Sequence, residues 1–309
     1  VCIPIAESTA LALLDAPPAR TMLPMPDRET FRAVCDKARV LAAASSVSLR
    51  VPRQVVIDSK EDFARQRAEG VVDSLPMPSI AKPSRSIAGP GGQLIKLPVR
   101  YADTVDDLAG IVRETPDAAF PLLLQERILG DGLGVFLLMW NGQEVATFGH
   151  RRLREKPPTG GVSTLRESVP VDPRLHARSL ALLQALGMTH GVAMVEFKGE
   201  AGTEPALMEI NGRFWGSLQL AIDAGVDFPA MLVALASGQS VEPVTTYRTG
   251  VSSRWFWGDI DHIIARMRRR LDVRGVPTTE SPFAALHDVF LTSAAGQHEE
   301  IWRADDSGP

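Results

Sequence analysis

A carboxylate, an amide and a guanidinium occupy alternate positions of one short apolar segment. The segment "PALMEINGRFW", residues 205–215, has the composition of a buried strand but contains Glu209, Asn211 and Arg213. Successive side chains of a strand point to opposite faces, so these three residues are predicted to share one face with Leu207. A half-buried strand with one solvated face would show the same alternation, so neighbouring segments must decide between the two interpretations.

A second acid, Glu196, lies in the preceding segment "GVAMVEFK", and the two segments are typical of an antiparallel hairpin. If Glu196 faces Glu209, the turn is centred between Gly202 and Thr203, within the turn-forming sequence "GEAGTEP". Glu196, Glu209 and Asn211 then converge on one face. Mg²⁺ and Mn²⁺ prefer oxygen ligands of this kind, and two adjacent carboxylates repel each other unless a cation bridges them. The hairpin therefore favours a metal site over a solvated face.

A lysine and a glycine-rich loop form a candidate phosphate site. Lys82 ends the apolar segment "SIAK", and Gly91 and Gly92 follow in the loop "SRSIAGPGG". The ammonium group supplies charge, and the free backbone N–H groups of such a loop supply a cradle. The alternative is a loop that only reverses the chain. The spacing of Ser79 and Lys82 also matches a serine-acylase motif, but that serine must begin a helix and Pro83 opposes one.

Three donor side chains alternate in the segment "GHRRLRE". His150, Arg152 and Arg154 are predicted to point the same way from one strand. Such a set suggests that a carboxylate or phosphate binds there. An exposed basic edge strand is the alternative. Residues 156–161, "KPPTGG", are expected to form a lid over this face.

Composition excludes several classes of protein. The chain has 309 residues, of which 45% are hydrophobic and 23% charged, as in an ordinary globular protein. Its net charge of −4 gives no support for a nucleic-acid partner, and its apolar runs are far shorter than a membrane span. With only Cys2 and Cys35, a disulfide framework is not expected, so we expect a cytoplasmic protein. Because Val1 is not a natural initiator, we also expect the chain to begin partway through a longer protein.

The mixture of helices, strands and antiparallel hairpins predicts an α+β fold. A strand is predicted at residues 1–5, and a single helix follows the N-cap residue Asp27 and extends to about residue 42. Asn141 and Gly142 predict a type I′ hairpin turn. A basic helix is predicted at residues 259–271, where a solvated helix face is favoured over a nucleic-acid or membrane surface.

The order of these features resembles a known superfamily. Asp36 and Lys37 on a helix are followed by "AKP" with its glycine loop, "LLQERI", "GDGLG", "HRRLREKPPTGG", "GVAMVEFK" and "LMEINGRFWGS". This order, over about residues 24–240, resembles the ATP-grasp superfamily. It is most similar to the carboxylase and ligase branch near carbamoyl phosphate synthetase and biotin carboxylase.

The resemblance implies a fold and a division of the chain. It implies two α+β subdomains that grip ATP, within an ATP-grasp domain at residues 24–245 whose small subdomain lies at about 53–127. Residues 1–23 are expected to be the C-terminal remnant of a small α/β domain that precedes ATP-grasp. Residues 246–309 are expected to form a C-terminal helical extension.

The resemblance also implies roles for individual residues. Those expected to contact the nucleotide are Lys37 and Lys82 at the phosphates, the loop at residues 83–92, and Gln125, Glu126, Arg127 and Ile128 at the adenine. The family often places a ribose-binding acid after this last segment, where Asp131 is the only acid of "GDGLG". Glu196, Glu209 and Asn211 match the magnesium ligands, and Arg213 matches an arginine aimed at the transferred phosphoryl group.

These roles imply an ATP-dependent carboxylate–amine ligase that uses Mg²⁺ or Mn²⁺ and proceeds through an acyl phosphate. His150, Arg152 and Arg154 are the candidates for holding the acid or the intermediate. The expected partners are small-molecule carboxylates and amines, not nucleic acid or a membrane, and a homodimer is left open. Two alternatives remain: a nucleotide-binding pseudoenzyme or sensor, and a phosphotransferase that uses the same site.

Overall fold

The structure is a computed structural model that describes residues 1–88, 95–157, 160–267, 286–287 and 297–301. Within these residues the helices are α1 (Glu7–Asp15), α2 (Arg28–Cys35), α3 (Lys37–Ala44), α4 (Lys60–Ala68), α5 (Val105–Glu114), α6 (Pro173–Ala185), α7 (Leu218–Ala224), α8 (Phe228–Ala236) and α9 (Phe256–Met267). The strands are β1 (Gln54–Ile57), β2 (Ser79–Pro83), β3 (Ile87–Ala88), β4 (Ile95–Lys96), β5 (Arg100–Ala102), β6 (Leu122–Glu126), β7 (Asp131–Trp140), β8 (Gln143–Lys156), β9 (Val162–Ser168), β10 (Gly191–Gly199), β11 (Ala206–Asn211), β12 (Ser252–Arg254) and β13 (Gln297–Glu299).

The described strands form two main sheets. A four-stranded antiparallel sheet has the order β1-β6-β2-β5, and a seven-stranded sheet has the order β11-β10-β7-β8-β9-β12-β13. Neighbours in the seven-stranded sheet are antiparallel except β12 and β13, which are parallel. Strands β3 and β4 pair separately. The predicted α+β class is confirmed.

The four-stranded sheet has its own apolar core. Phe63 of α4 and Leu108 of α5 are buried with Leu124 of β6. Helix α5 begins with a capping box, in which the side chain of Thr104 accepts from the backbone N–H of Asp107 and the Asp107 carboxylate accepts from that of Thr104. The small sheet is thus supported by helices defined by sequence-local signals.

The seven-stranded sheet packs against apolar side chains on both faces. Leu41 of α3 and Leu182 of α6 pack with Val195 on one face, and Phe228 of α8 packs with Phe136 on the other. Burial on both sides explains why its central strands are nearly continuous apolar runs rather than alternating ones. Strand β11 forms one edge of this sheet and pairs with β10.

Several predicted elements are revised. Residues 1–5 contain no regular strand; the backbone N–H of Cys2 donates to the carbonyl of Met22, and the regular element of this region is α1. The single helix predicted after Asp27 is two helices. Asp27 caps α2 as expected, but Asp36 ends it and caps α3 by accepting from the N–H of Arg39.

Other local predictions have mixed outcomes. Asn141 and Gly142 both have positive φ, 50° and 76°, as a type I′ turn requires. The described part of residues 246–309 contains α9 and also β12 and β13, which extend the seven-stranded sheet. The predicted basic helix at residues 259–271 overlaps α9, and its residues 268–271 lie outside the described residues. The division into domains stays a prediction.

Among the described residues, no single helix has both the length and the apolar content to cross a membrane. Helices α7 and α8, which meet at a bend of 91°, pass that test as a pair by length and composition only.

Candidate active site

A cleft of about 610 Å³ is lined by residues from both main sheets. Ile80 and Lys82 of β2 line it on the side of the four-stranded sheet. Glu196 of β10 and Glu209 of β11 line it on the side of the seven-stranded sheet. The two strands predicted to carry metal ligands therefore face the strand that carries the predicted phosphate-binding lysine.

The hairpin of β10 and β11 places the two carboxylates opposite each other. Glu196 and Glu209 are direct cross-strand partners, as the sequence predicts. The next pair outward is Phe197 with Leu207, so Met208 is an extra residue that forms a β-bulge.

The bulge changes the face of one predicted residue. Leu207 is fully buried in the same apolar core as Ile210, on the opposite side from Glu209. The prediction that Leu207 shares the polar face is wrong, because the extra residue shifts the alternation by one position. Asn211 stays on the side of Glu209, and both line the cleft.

Lys37 is held at the start of α3 by contacts with the residues that directly follow β2. The backbone N–H of Lys37 donates to the carbonyl oxygen of Ser84 at 2.8 Å, and the Ser84 hydroxyl donates to the Asp36 carboxylate. From this position the Lys37 ammonium lies 3.2 Å from Glu209 Oε2 and donates to Ser86 Oγ at 2.8 Å. The break between α2 and α3 is therefore what presents Lys37 to the carboxylate.

Lys82 is buried, with 5% of its surface exposed, and its Nζ donates to the carbonyl oxygen of Met208 at 3.3 Å. Burial lowers the pKa of Lys82 to about 8, and the positive charge of Lys37 adds to this, while Glu209 and Glu196 oppose it. The carbonyl that accepts from Lys82 belongs to the bulge residue. The bulge thus positions a lysine as well as a carboxylate.

The two carboxylates have different electrostatic environments. Burial raises the pKa of Glu196, with a further contribution from Glu209, although the Arg152 guanidinium opposes it. For Glu209 the burial penalty is more than offset by Lys37 and Lys82, so its pKa is lowered. Glu209 is therefore the firmly ionised member of the pair.

Arg152 lies in the cleft, where it is 2.7 Å from Glu196 Oε2 and 3.1 Å from Glu155 Oε1. Both carboxylates raise the pKa of Arg152 against the effect of burial, so the group is permanently charged. Lys198 approaches the other oxygen of Glu155 at 3.8 Å.

His150 also lines the cleft but is neutral. Burial lowers its pKa well below the usual value, and the charges of Arg152 and Arg166 act in the same direction. Its Nδ1 lies 3.2 Å from Ser217 Oγ, and its ring packs edge-on against Phe136. Its Nε2 has no hydrogen-bond partner among the described residues. His150 is thus a hydrogen-bonding group rather than a cation.

Arg154 does not join His150 and Arg152. Leu153 is a second bulge residue, because Arg152 pairs with Arg166 and Arg154 pairs with Leu165. Arg154 instead donates to Asp259 Oδ2 of α9 at 2.8 Å and does not line the cleft. The prediction that all three side chains share one face is wrong for Arg154.

Arg213 lines the cleft beside Asn211. One guanidinium nitrogen donates to the carbonyl of Phe214 at 2.8 Å and another donates to Asn211 Oδ1 at 3.2 Å. No carboxylate of the described chain lies within ion-pair distance of Arg213, so its charge faces the cleft without an anionic partner.

The predicted adenine segment is divided between two environments. Arg127 and Ile128 line the cleft, and Arg127 lies over the ring of Tyr101 at 5.5 Å. The side chains of Gln125 and Glu126 face away from it: Gln125 donates to Gln54, and Glu126 accepts from the backbone N–H of Arg53.

Two further predicted nucleotide contacts have different outcomes. Asp131 is at the start of β7, half-exposed and 4.0 Å from Arg151, and does not line the cleft. Gly91 and Gly92, like Pro158 and Thr159 of the predicted lid, lie outside the described residues.

Comparison with known proteins identifies the fold. A family described as "ATP-grasp in the biosynthetic pathway with Ter operon" matches residues 119–257. The structure is also similar to the biotin carboxylase domain of 2-oxoglutarate carboxylase from Hydrogenobacter thermophilus, with TM-score 0.59, 16% identity, and coverage of 79% of this chain and 54% of that one. This chain has the ATP-grasp fold.

Two ligases share the fold. The L-amino acid ligase from Bacillus licheniformis matches with TM-score 0.53 and 15% identity, over 76% of this chain and 62% of that one. N5-carboxyaminoimidazole synthetase from Staphylococcus aureus matches with TM-score 0.56 and 14% identity, over 79% and 60%. The chain thus spans 54 to 62% of the length of these three structures. No curated protein matches it by sequence.

The ATP-grasp site residues fit a divalent metal by their donor chemistry. Glu196 and Glu209 offer carboxylate oxygens from directly paired strand positions, and Asn211 offers an amide oxygen from the same strand as Glu209. A cation between the carboxylates would offset the burial that raises the pKa of Glu196. No cluster of three or more His, Cys, Asp or Glu side chains suited to a metal is found in the described ranges, so the set depends on Asn211 and non-protein ligands.

Two acids of the ATP-grasp cleft were missed by sequence reasoning. Glu155 follows the bulge at Leu153 and binds Arg152, whereas strict alternation places it on the other face. Glu7 comes from α1, in a segment predicted to be a domain remnant, and lines the cleft. Nothing local in the sequence distinguishes Glu7 from a solvated first-turn acid.

Proposed function

We propose that this protein is an ATP-dependent ligase that activates a carboxylate as an acyl phosphate and joins it to an amine. The main support for this proposal is the Glu196–Glu209 pair. The ammonium groups of Lys37 and Lys82 lie beside this pair, in a cleft that residues of both main sheets line. Paired carboxylates next to two lysines are suited to a metal–triphosphate complex.

The proposed reaction has two steps. A carboxylate oxygen of the substrate accepts the γ-phosphoryl group of ATP and ADP leaves, which gives an acyl phosphate. The amine nitrogen then attacks the acyl carbon, the bond from that carbon to the phosphate oxygen breaks, phosphate leaves and the nitrogen loses a proton. Neither step needs a protein nucleophile, so the work of the protein is positioning and charge stabilisation.

The cleft residues have distinct roles in this proposal. Lys37 and Lys82 bind the phosphates, and Arg213, whose charge has no anionic partner in the described chain, faces the transferred phosphoryl group. Arg152 and the neutral His150 hold the acid by charge and by hydrogen bonding respectively.

Glu196, Glu209 and Asn211 are proposed to hold Mg²⁺ or Mn²⁺. When bound, such an ion neutralises charge on the β- and γ-phosphates as the phosphoryl group moves.

The adenine is proposed to bind between the edge of the small sheet and the segment that follows β6. Ile80, Ile128 and Tyr101 give this end of the cleft an apolar and aromatic lining, and Arg127 lies over the tyrosine ring. The polar side chains of Gln125 and Glu126 point away, so contacts from that segment would come from its backbone.

The structural neighbours support the same class of chemistry. The H. thermophilus domain was determined with MgADP and bicarbonate, and two other neighbours are an amino acid ligase and a carboxyaminoimidazole synthetase.

A product screen tests the proposal. Purified protein is incubated with ATP, Mg²⁺ and pooled carboxylic acids and amines, and products are identified by mass spectrometry alongside ADP. We expect ADP, phosphate and an amide, with no amide when either pool is omitted. ADP together with a phosphorylated product that needs no amine would indicate a phosphotransferase, and ATP binding without ADP release would indicate a pseudoenzyme.

A further inference from the structure

Glu7 is the first residue of α1, and its side chain lines the cleft. Lys37, Arg213 and Glu209 line the same cleft. A segment more than 100 residues away in sequence from β10 and β11 thus contributes a carboxylate to the same cleft.

Glu7 differs from the other acids of the cleft. Glu209 has Lys37 as its ion-pair partner, and Glu196 and Glu155 share Arg152. Glu7 has no ion pair and no hydrogen bond with any residue that the structure describes. It is the one acid lining this described cleft whose charge is not neutralised by a direct contact.

Glu7 is a partly buried carboxylate with no cation of the described residues at ion-pair distance. Burial raises the pKa of Glu7, and the positive charges of Lys37 and Arg213 oppose this. If these two cations bind phosphate groups, as the proposed function requires, they contribute less to the stabilisation of Glu7. A ligand with a positive charge would then complete the site.

We propose that Glu7 binds the ammonium group of the amine substrate. This inference rests on the proposed function and names the residue that recognises its second substrate. ATP and the carboxylate are anions, which Glu7 repels, so the amine is the one organic reactant that is a cation at neutral pH.

A metal ion is a poorer occupant than an ammonium group. The described residues contain no cluster of three or more acids, histidines or cysteines that includes Glu7, so a divalent ion there would lack the several protein ligands it needs. An ammonium group needs only one carboxylate. Before attack it loses one proton to Glu7 or to water, which frees the nitrogen lone pair, and the nitrogen loses a second proton as the amide forms and phosphate leaves. Because Glu7 and Arg213 line the same cleft, an amine bound to Glu7 shares that cleft with the proposed phosphoryl-transfer group.

The test compares two nucleophiles that differ in charge. Methylamine is a cation at neutral pH, whereas hydroxylamine is neutral and traps acyl phosphates as hydroxamates. Both are assayed with MgATP and a pool of amine-free dicarboxylic acids and N-acetylated amino acids. The variants are Glu7→Gln, Glu7→Asp and Glu29→Gln, the last of which removes an exposed acid from the first turn of α2 and so controls for effects on helix dipoles.

We expect Glu7→Gln to form hydroxamate at the parental rate while its apparent KM for methylamine rises about 10- to 100-fold, the effect of losing one hydrogen bond between charged groups. Glu7→Asp should recover part of this loss, and Glu29→Gln should match the parent. Three results would overturn the inference. The KM for methylamine could be unchanged in Glu7→Gln, Glu7→Gln could lose the same fraction of activity with both nucleophiles, or the parent could use hydroxylamine but not methylamine. A parent that forms no hydroxamate from any acid rejects the proposed function itself, and the inference with it.

Discussion

Glu196 and Glu209 are direct partners across β10 and β11, yet each forms an ion pair with a cation from a different element. Lys37 of α3 binds Glu209 at 3.2 Å, and Arg152 of β8 binds Glu196 at 2.7 Å. The two carboxylates therefore connect the helix that presents Lys37, the proposed phosphate-binding lysine, with the strand proposed to hold the acid. A metal ion at this pair would couple nucleotide binding to the arrangement of both cations.

Replacement of Glu209 by Gln should abolish metal-dependent turnover without unfolding the protein. The amide keeps the shape of the side chain but removes the charge that a divalent ion requires. We expect kcat to fall at least about 100-fold, because ligand loss removes several kcal/mol of charge stabilisation and each 1.4 kcal/mol is a factor of ten. Glu200→Gln, at an exposed position of the same hairpin, is the matched control in steady-state assays of ADP release. Near-parental turnover in Glu209→Gln would remove the metal role from this hairpin.

Lys82→Met should stabilise the free protein while it weakens ATP binding. Lys82 is buried and its pKa falls from 10.5 to about 8, so the folded state holds this proton less tightly than the unfolded state does. At pH 7 the charge costs about 3 kcal/mol, and methionine keeps most of the buried stem. Chemical denaturation in EDTA should therefore show a more stable variant.

The lowered pKa of Lys82 also predicts how the stability of the parent and of Lys82→Met changes with pH. Between about pH 8 and 10.5 the unfolded state of the parent binds more protons than the folded state, so Lys82 makes parental stability rise with pH in this window. The advantage of Lys82→Met should be largest below pH 8 and should shrink above it. A variant that is less stable than the parent at pH 7 would show that burial of the Lys82 charge does not lower the free energy of unfolding.

Arg152 and Arg154 provide a matched pair of substitutions. Arg152→Ala should raise the apparent KM for the acid by about tenfold or more, since it removes a charged donor from the cleft. Arg154→Ala should leave that KM unchanged but lower stability by about 2 kcal/mol, because its partner Asp259 is fully buried and keeps only the contact with Arg254. Kinetics at saturating MgATP and thermal unfolding measure both effects. Equal KM values for the two variants would contradict the assignment of the acid site.

Strand alternation predicted the central part of the site and failed at the bulges. The predicted pairing of Glu196 with Glu209 is confirmed, but the turn alone does not set it. The pairs next to the turn, Phe197 with Leu207 and Lys198 with Ala206, would continue to Glu196 with Met208, and the extra residue Met208 is what brings Glu209 opposite Glu196. The extra residues Met208 and Leu153 each shift the alternation by one position, which is why Leu207 and Arg154 face other sides than predicted. A bulge depends on the fit of neighbouring strands, which a single strand sequence does not reveal.

Helical periodicity and tertiary contacts explain the remaining differences. The apolar spacing of "FRAVCDKARVLAAA" continues across Asp36, but an aspartate can accept from the next turn and so begins a new helix there. The position of Glu7 in the cleft depends on how α1 packs, and its sequence context carries no signal of that contact. Local capping chemistry was thus readable in principle, whereas the long-range approach of α1 was not.

Thermal unfolding should reveal the metal site without any knowledge of the substrates. Ligands that bind only the folded state stabilise it according to their concentration relative to Kd, by about 2.7 kcal/mol at 100 times Kd. For a chain of this size that corresponds to a rise in Tm of several degrees. We expect MgATP to raise the Tm of the parent more than ATP in EDTA does, and Glu196→Gln to lose this difference while still responding to ATP through Lys37 and Lys82. Glu200→Gln should behave like the parent. If Mg²⁺ adds the same increment to Glu196→Gln as to the parent, the ion does not bind at the carboxylate pair.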